Sequence, residues 1–390
     1  MIHSRSRSSR ERLRPLPVLV AILAGMALCL TACRSDGPTR PVAAVVPPPT
    51  AAANPCADPS TRYDGVCHTV AVGGKTYRYL LFRAAQATTK TMIFDGGGPG
   101  VSNLSNIDAR YEQTQADAGK RGFNLLVLDE PWVVAPYDPQ CRTAMSSFYR
   151  ESTQRYPRPA SGSAVASVRQ SCLTAKGAAT STAADYRAAV GRIEQAEKVT
   201  VVRLEGYSFA SVRAAYLGVD RPDLVVAVGS PFPVGASAAA FYAAEGRGAG
   251  TSGDLASDSA QAYYTTTGTD PADVDRATAA RGLWQVTSTG DMSLSRVGYY
   301  AEICSALGNW PALAGDSLKA GSAVTALASL HAPCVGANGT ESLKLPAKTC
   351  FTVLAGDRNS PWLPSPVTRR AKVATVHTGE HGKVAIPACP

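Results

Sequence analysis

The run Val199-Thr200-Val201-Val202-Arg203-Leu204-Glu205-Gly206-Tyr207-Ser208-Phe209-Ala210-Ser211 spells a strand, a tight turn and the opening of a helix. Val199 to Leu204 is apolar enough for a buried strand, and Ser211 to Leu217 reads as helical. Between them stands the pattern G-x-S-x-A, with Gly206 and Ala210 two positions either side of Ser208. A serine on a sharp strand-to-helix turn has its hydroxyl lifted above the sheet, and small flanking residues let strand and helix pass closely. The short pattern alone is weak, but in this context Ser208 is a candidate nucleophile.

Working upstream, Thr91 to Phe94 predicts another buried strand, followed directly by Asp95-Gly96-Gly97-Gly98-Pro99-Gly100. Glycines let a backbone fold so that several N–H groups converge on one point, which the anionic oxygen of a tetrahedral intermediate requires. The expected oxyanion donors are the N–H of Gly98 and that of Phe209, with Gly96, Gly97, Pro99 and Gly100 shaping the loop. No G-K-S/T or G-x-G-x-x-G follows, which argues against a phosphate loop.

Downstream, the strand Phe351 to Leu354 leads to Asp357, and Val373 to Val376 leads into His377-Thr378-Gly379-Glu380-His381-Gly382. A serine hydroxyl is a poor nucleophile until an imidazole takes its proton, and a carboxylate must orient that imidazole. Asp357 and His381 are the expected partners of Ser208; His381 is preferred to His377 because it lies in the turn beyond the strand. His68 and His331 are expected to be structural or superficial.

The intervening pattern predicts an α/β fold. Alternation from His68 to Leu81, broken at Gly73-Gly74, reads as a hairpin. Further strands are expected over Asn124 to Leu128 and Leu224 to Val228, with helices near Tyr111 to Ala118 and Ala183 to Ala196. Buried strands alternating with helices imply a mostly parallel sheet with helices on both faces. Between Pro233 and Thr349 the chain is rich in Ala, Gly, Ser and Thr and shows no clear strand. So long a stretch between two core strands predicts an inserted helical lid. The expected boundaries are 56–233 and 345–390 for the core and 234–344 for the lid.

Taken together, these motifs resemble α/β-hydrolase fold serine peptidases of the proline iminopeptidase and tripeptidyl aminopeptidase type. Gly97-Gly98-Pro99-Gly100 resembles their G-G-P-G oxyanion loop, and Thr180-Ser181-Thr182-Ala183-Ala184-Asp185 their T-T-x-x-x-x-D helix opening. Tyr207-Ser208 is similar to their Y-S, and Arg221-Pro222-Asp223-Leu224-Val225 to their F-P-x-x-V. Asp357 with Ser360-Pro361 resembles D-x-x-T-P, and Glu380-His381-Gly382 resembles G-H-G. The resemblance implies an α/β-hydrolase fold, a Ser208–His381–Asp357 triad and an acyl-enzyme. It also implies short peptides as substrates, with amino groups held by carboxylates near the pocket, for which Glu130, Glu205 and Glu245 are candidates. Two departures stand out. Asp129-Glu130-Pro131-Trp132-Val133-Val134 occupies the place of D-x-R-G-x-G-x-S, and the sequence stops nine residues after His381, short of most of the usual final helix.

The N-terminus carries an address. Arg5, Arg7, Arg10, Arg12 and Arg14 precede the apolar run Leu16 to Leu30, which is shorter than the ~20 residues a spanning helix needs. Leu30-Thr31-Ala32-Cys33 then resembles a lipobox, so residues 1–32 read as a lipoprotein signal peptide. Cys33 is the expected lipidation site, and 33–55 a Pro- and Ala-rich tether. Arg34 in place of Asp makes outer-membrane sorting the default where such a membrane exists. Much of the net charge of +9 leaves with the signal, and what remains is too diffuse for a nucleic-acid partner.

Of ten cysteines, Cys29 leaves with the signal and Cys33 takes lipid. The rest admit on the order of a hundred pairings in an exported chain. The pairs chosen are Cys56–Cys67, Cys141–Cys172, Cys304–Cys334 and Cys350–Cys389. No C-x-x-C spacing occurs, and His377 and His381, though spaced H-x-x-x-H, have no cysteine pair beside them; no cofactor or metal is expected. The expectation is therefore an exported serine hydrolase of the aminopeptidase type, anchored to a bacterial membrane through Cys33. An esterase or lipase with the same triad, and a catalytically silent hydrolase-like binding protein, are the alternatives.

Overall fold

A computed structural model describes residues 67–104, 109–133, 138–155, 160–173, 182–232, 234–235, 294–307, 329–335, 343–354, 371–377 and 384–390. Strands β1 (His68–Val72) and β2 (Lys75–Phe82) form the expected hairpin, with Val72 opposite Lys75. Gly73 and Gly74 both take positive φ, as a two-residue hairpin turn demands. The chain continues through β3 (Lys90–Asp95), α1 (Ala109–Lys120), β4 (Asn124–Leu128), α2 (Pro139–Arg155) and α3 (Gly162–Cys172). Then come α4 (Ala183–Glu197), β5 (Thr200–Tyr207), α5 (Ala210–Leu217), β6 (Val225–Gly229), α6 (Leu294–Ala306), β7 (Lys348–Leu354) and β8 (Lys372–Val376).

The strands make one sheet of order β1-β2-β4-β3-β5-β6-β7-β8. Pairings from β4 through β8 are all parallel, and β1 and β2 are antiparallel additions at one edge. Side-chain alternation shows why both faces are covered. Leu125 and Val127 of β4 join Met92 and Phe94 of β3 in one cluster with Ala118 of α1. Leu126 and Leu128 turn the other way, with Ile93 and Leu204, into a cluster that includes Val190 of α4 and Leu217 of α5. Apolar residues on both faces of a strand require helices on both faces of the sheet.

Local chemistry sets the helix ends. Thr182 accepts from the N–H of Asp185 while Asp185 accepts from the N–H of Thr182, a capping box that starts α4 within the stretch singled out for its T-T-x-x-x-x-D likeness. Helices α2 and α3 are additions to the expected set. The buried positions of α2, Cys141, Ala144, Met145, Phe148 and Ser152, have helical spacing. A cysteine, an alanine and a serine among them make that stripe only weakly apolar.

Between β6 and β7 the described residues form α6 and a 3-10 turn, Ala332–Cys334, and no strand. Three of the expected disulfides are present: Cys141–Cys172 joins α2 to α3, Cys304–Cys334 joins α6 to the 3-10 turn, and Cys350–Cys389 joins β7 to the C-terminal segment. Cys67 is also disulfide-bonded. Its expected partner Cys56 lies outside the described residues, as do Cys33 and the signal and tether segments.

Candidate active site

The order of strands itself marks a place for chemistry. After β3 the sheet grows to one side through β4, then returns to the other side of β3 with β5. Loops leaving the carboxyl ends of such neighbouring strands diverge, and the crevice between them is where open parallel sheets bind ligands. The strands at this switch point are β3, which ends at the 96–100 loop, and β5, which ends at Ser208.

Ser208 lies between β5 and α5 with φ 49°, a left-handed conformation uncommon for a non-glycine residue. It is 9% exposed. Its N–H donates to the Gly229 carbonyl at 3.1 Å, and its own carbonyl accepts from the N–H groups of Ser211 at 3.1 Å and Phe232 at 2.8 Å. The turn is thus over-determined by its neighbours, which is what holds a strained residue in place. The small residues have a geometric reason. A Cβ on Gly206 would stand 2.1 Å from the Asp95 carbonyl oxygen and 2.8 Å from the Ala210 Cβ. Alanine at 210 fits because glycine stands opposite.

The glycine loop lies directly against the serine. A Cβ on Gly97 would be 2.5 Å from the Tyr207 carbonyl oxygen and 3.1 Å from the Ser208 Cβ. Gly97, Gly98 and Gly100 all have positive φ, and the Gly98–Pro99 peptide is cis. Asn103 fastens the loop: its Oδ1 accepts from the Gly96 N–H at 2.9 Å and its Nδ2 donates to the Leu128 carbonyl at 3.0 Å. Asp129 holds the same stretch by accepting from Ser102 Oγ at 2.8 Å, the Leu104 N–H at 3.1 Å and Arg78 Nε at 2.7 Å. Burial nonetheless raises the Asp129 carboxyl above its ordinary range, against the pull of Arg78. Among the described residues, neither the Gly98 nor the Phe209 N–H has a protein acceptor.

A buried charge cluster backs this loop. Arg213 of α5 donates through Nη1 to both Asp95 oxygens at 2.8 and 2.9 Å and to the Gly97 carbonyl at 3.2 Å. Its Nε stands 2.9 Å from Glu130 Oε1, and its guanidinium lies 5.2 Å over the Phe209 ring. Burial disfavours the Arg213 charge, but Asp95, Glu130 and Glu302 outweigh it and hold the guanidinium well above its ordinary value. Glu302 of α6 adjoins Glu130, and burial together with that carboxylate pushes Glu302 well above the carboxylate range. Helix α6 approaches the same segment closely: a Cβ on Gly298 would lie 2.4 Å from the Trp132 ring.

Sequence reasoning passed over Arg213, Asp95 and Glu302. The available signal was spacing, since Arg213 sits four residues after Phe209, on the same helix face, and donates its N–H to the Phe209 carbonyl. Asp357 and His381 lie outside the described residues. His377 is exposed, His68 stacks on Tyr79 at 5.5 Å, and His331 is buried with its Nε2 against the Tyr299 hydroxyl, a structural setting.

The candidate amine-binding acids are committed elsewhere. Glu205 accepts from Arg121 Nη1 at 2.7 Å and Arg203 Nε at 2.5 Å, on the side of the sheet covered by α1. Burial raises its carboxyl, but the two guanidiniums prevail and lower it. Glu130 belongs to the Arg213 cluster, and Glu245 lies outside the described residues.

No protein-family model and no curated protein sequence matches the chain. Among solved structures it is similar to a probable hydrolytic enzyme from Pseudomonas aeruginosa PAO1, at 13% identity and TM-score 0.37 over 82% of this chain and 90% of that one. It is also similar to the enol-lactonase from Burkholderia xenovorans LB400, at 10% identity and TM-score 0.36 over 81% and 93%. A soluble variant of monoglyceride lipase from Saccharomyces cerevisiae gives 8% identity and TM-score 0.35 over 81% and 86%. Likenesses this weak carry no weight of their own. Independently of them, the parallel run β4-β3-β5-β6-β7-β8, the helices on both of its faces and the serine on a strained turn after β5 make this an α/β-hydrolase fold.

Proposed function

We propose that this chain is an exported serine hydrolase in which Ser208 attacks an acyl carbon, His381 takes the hydroxyl proton and Asp357 orients the imidazole. The tetrahedral oxyanion is received by the N–H groups of Gly98 and Phe209. Collapse expels the leaving group, which collects the proton from His381, and water then hydrolyses the acyl-enzyme by the same steps. The observation that carries this reading is Ser208 at positive φ between β5 and α5, with Gly97 packed against it. A fluorophosphonate probe should label the purified domain, and Ser208→Ala should abolish the label. Undiminished labelling of that variant would remove Ser208 from the mechanism.

For substrate we propose short peptides with a free N-terminus, with residues 234–344 closing over the site as a lid. A specific observation favours the esterase alternative: Glu205 and Glu130 are both engaged by arginines. Losing a hydrogen bond to a charged group costs about 1.5–3 kcal/mol, roughly a tenfold to hundredfold change in kcat/KM. A peptide amide with a free amine should therefore outpace its N-acetylated counterpart by that margin. Equal rates, or hydrolysis of esters alone, would replace the aminopeptidase by an esterase.

Export with a lipid on Cys33 completes the proposal. The disulfides suit an oxidising compartment. Among the described residues no helix is long and apolar enough to cross a membrane. Cells given labelled palmitate should incorporate it into the wild type and not into Cys33→Ser; equal incorporation would refute the anchor.

A further inference from the structure

We propose that Arg213 is a positioning residue that aims the Gly98 N–H. The inference rests on the serine-hydrolase reading above. Its basis is the geometry of one peptide unit. The carbonyl of Gly97 and the N–H of Gly98 belong to the same planar peptide, and in the trans form they point in opposite directions. Arg213 Nη1 donates to that carbonyl at 3.2 Å. The guanidinium therefore grips the far end of the very unit whose N–H faces the oxyanion.

The grip is itself held. Asp95 Oδ1 accepts from the Gly97 N–H at 2.8 Å and from Arg213 Nη1 at 2.8 Å, so Gly97 is fixed at both its N–H and its carbonyl. Flanking residues do not favour one orientation of this peptide, since Gly97 and Gly98 both sit at positive φ and glycine allows many alternatives. On the other side Glu130 Oε1 stands 2.9 Å from Nε as an ion pair, although Nε makes no aligned hydrogen bond, so the hold on the fork comes chiefly from Asp95 and the Gly97 carbonyl. Arg213 and Phe209 share one face of α5, so the same element carries the second donor, the Phe209 N–H, and the side chain that sets the first.

A donor that is misaimed in the transition state lowers kcat without weakening ground-state binding. The test compares Arg213→Lys with Arg221→Lys on a p-nitrophenyl ester, alongside inhibition by an alkyl boronic acid, whose serine adduct places an oxygen where the oxyanion would be. Arg221 forms a two-armed pair with Glu194 away from the loop, so its variant controls for loss of a guanidinium pair as such. A lysine keeps the charge but cannot meet Asp95, Gly97 and Glu130 at once. Arg213→Lys should lose roughly tenfold to hundredfold in kcat with KM within about twofold, and boronate affinity should fall in proportion. Arg221→Lys should leave kcat unchanged. Folded Arg213→Lys with wild-type kcat and boronate affinity would overturn the proposal.

Should Arg213→Lys not fold, Asp95→Asn provides the second measurement. It still accepts from Gly97 and relieves excess negative charge, but its hold on Arg213 is weaker. A several-fold loss in its kcat at constant KM is expected, and an unchanged kcat would refute the positioning role. A wild type that neither turns over the ester nor takes a fluorophosphonate label at Ser208 would instead bring down the hydrolase reading and this inference with it.

Discussion

Two arginine–carboxylate clusters flank the strand-to-helix turn, and they differ in water rather than in chemistry. On the α1 side, Arg121 and Arg203 share Glu205 beside a hollow lined also by Phe94, Tyr207 and Ile386, and the Arg121 side chain is 38% exposed. Beside α5 and α6, Arg213 serves Asp95 and Glu130 with Glu302 adjoining, and none of the four is more than 4% exposed. An exposed pair exchanges protein partners for water at small net gain, whereas an enclosed one cannot be broken without stranding a charge. Arg121 is thus the replaceable arm of the first cluster, whose Arg203 and Glu205 are themselves buried. The second couples the glycine loop, the end of β4 and helix α6.

Removing the cation from each cluster is the most severe test of that contrast. Arg213→Met leaves buried carboxylates without compensation and should cost about 3–5 kcal/mol in urea unfolding of the oxidised domain. Arg121→Met should cost about 0–1 kcal/mol, because Arg203 and water remain. Equal losses would erase the distinction between the clusters.

Opposite responses to pH sharpen it. Glu302 has its folded value raised, so the unfolded chain releases this proton first. Stability from Glu302 is full below the ordinary value of 4.5 and is lost as pH rises through the folded value. Glu302→Gln, which mimics the protonated form, should remove that decline with rising pH. Glu205 is lowered, so its contribution is present above 4.5 and is lost as pH falls through the folded value. Glu205→Gln should flatten the acid side instead. Unfolding midpoints across pH would show both, and matching slopes for the two variants would contradict the assignment.

The smallest effect belongs to the turn between the clusters. Ser208→Gly relieves a positive φ and should raise stability by about 1 kcal/mol while abolishing fluorophosphonate labelling. A destabilised glycine variant would mean that the turn stores no strain.

Residue pattern reveals the frame of this molecule because buried strands advertise themselves. Asn124 to Leu128 is apolar at every position but its first, and the strand occupies those five residues. The hairpin at Gly73-Gly74 was likewise legible, since turn chemistry is local, and three disulfides join nearest neighbours in sequence as chosen. What sequence could not show is the company a side chain keeps. Arg213 in a helix of alanines reads as a solvated charge, and only the packing of α5, β3 and α6 encloses it. Likewise Asp129-Glu130 lacks the arginine of the motif it replaces, yet each acid meets an arginine from a different element, Arg78 of β2 and Arg213 of α5. Glu205 shows the converse, an acid suited by position to bind an amine whose lone pairs are already taken.

The bond between Cys350 and Cys389 bears on a different quantity, the conformational entropy of the segment that carries His381. That segment leaves β8 at Val376 and is caught again at Val384, whose side chain packs where a Gly229 Cβ would stand. Beyond it, the Cys389 carbonyl accepts from Arg203 and its sulfur is bound to β7. A span tied at both ends samples far fewer arrangements than a tail tied at one, and closing a span this short has a small entropic cost. Reduction of the one bond would leave the end of the chain held by the packing of Val384 and the Arg203 hydrogen bond alone, a looser tether than the covalent one.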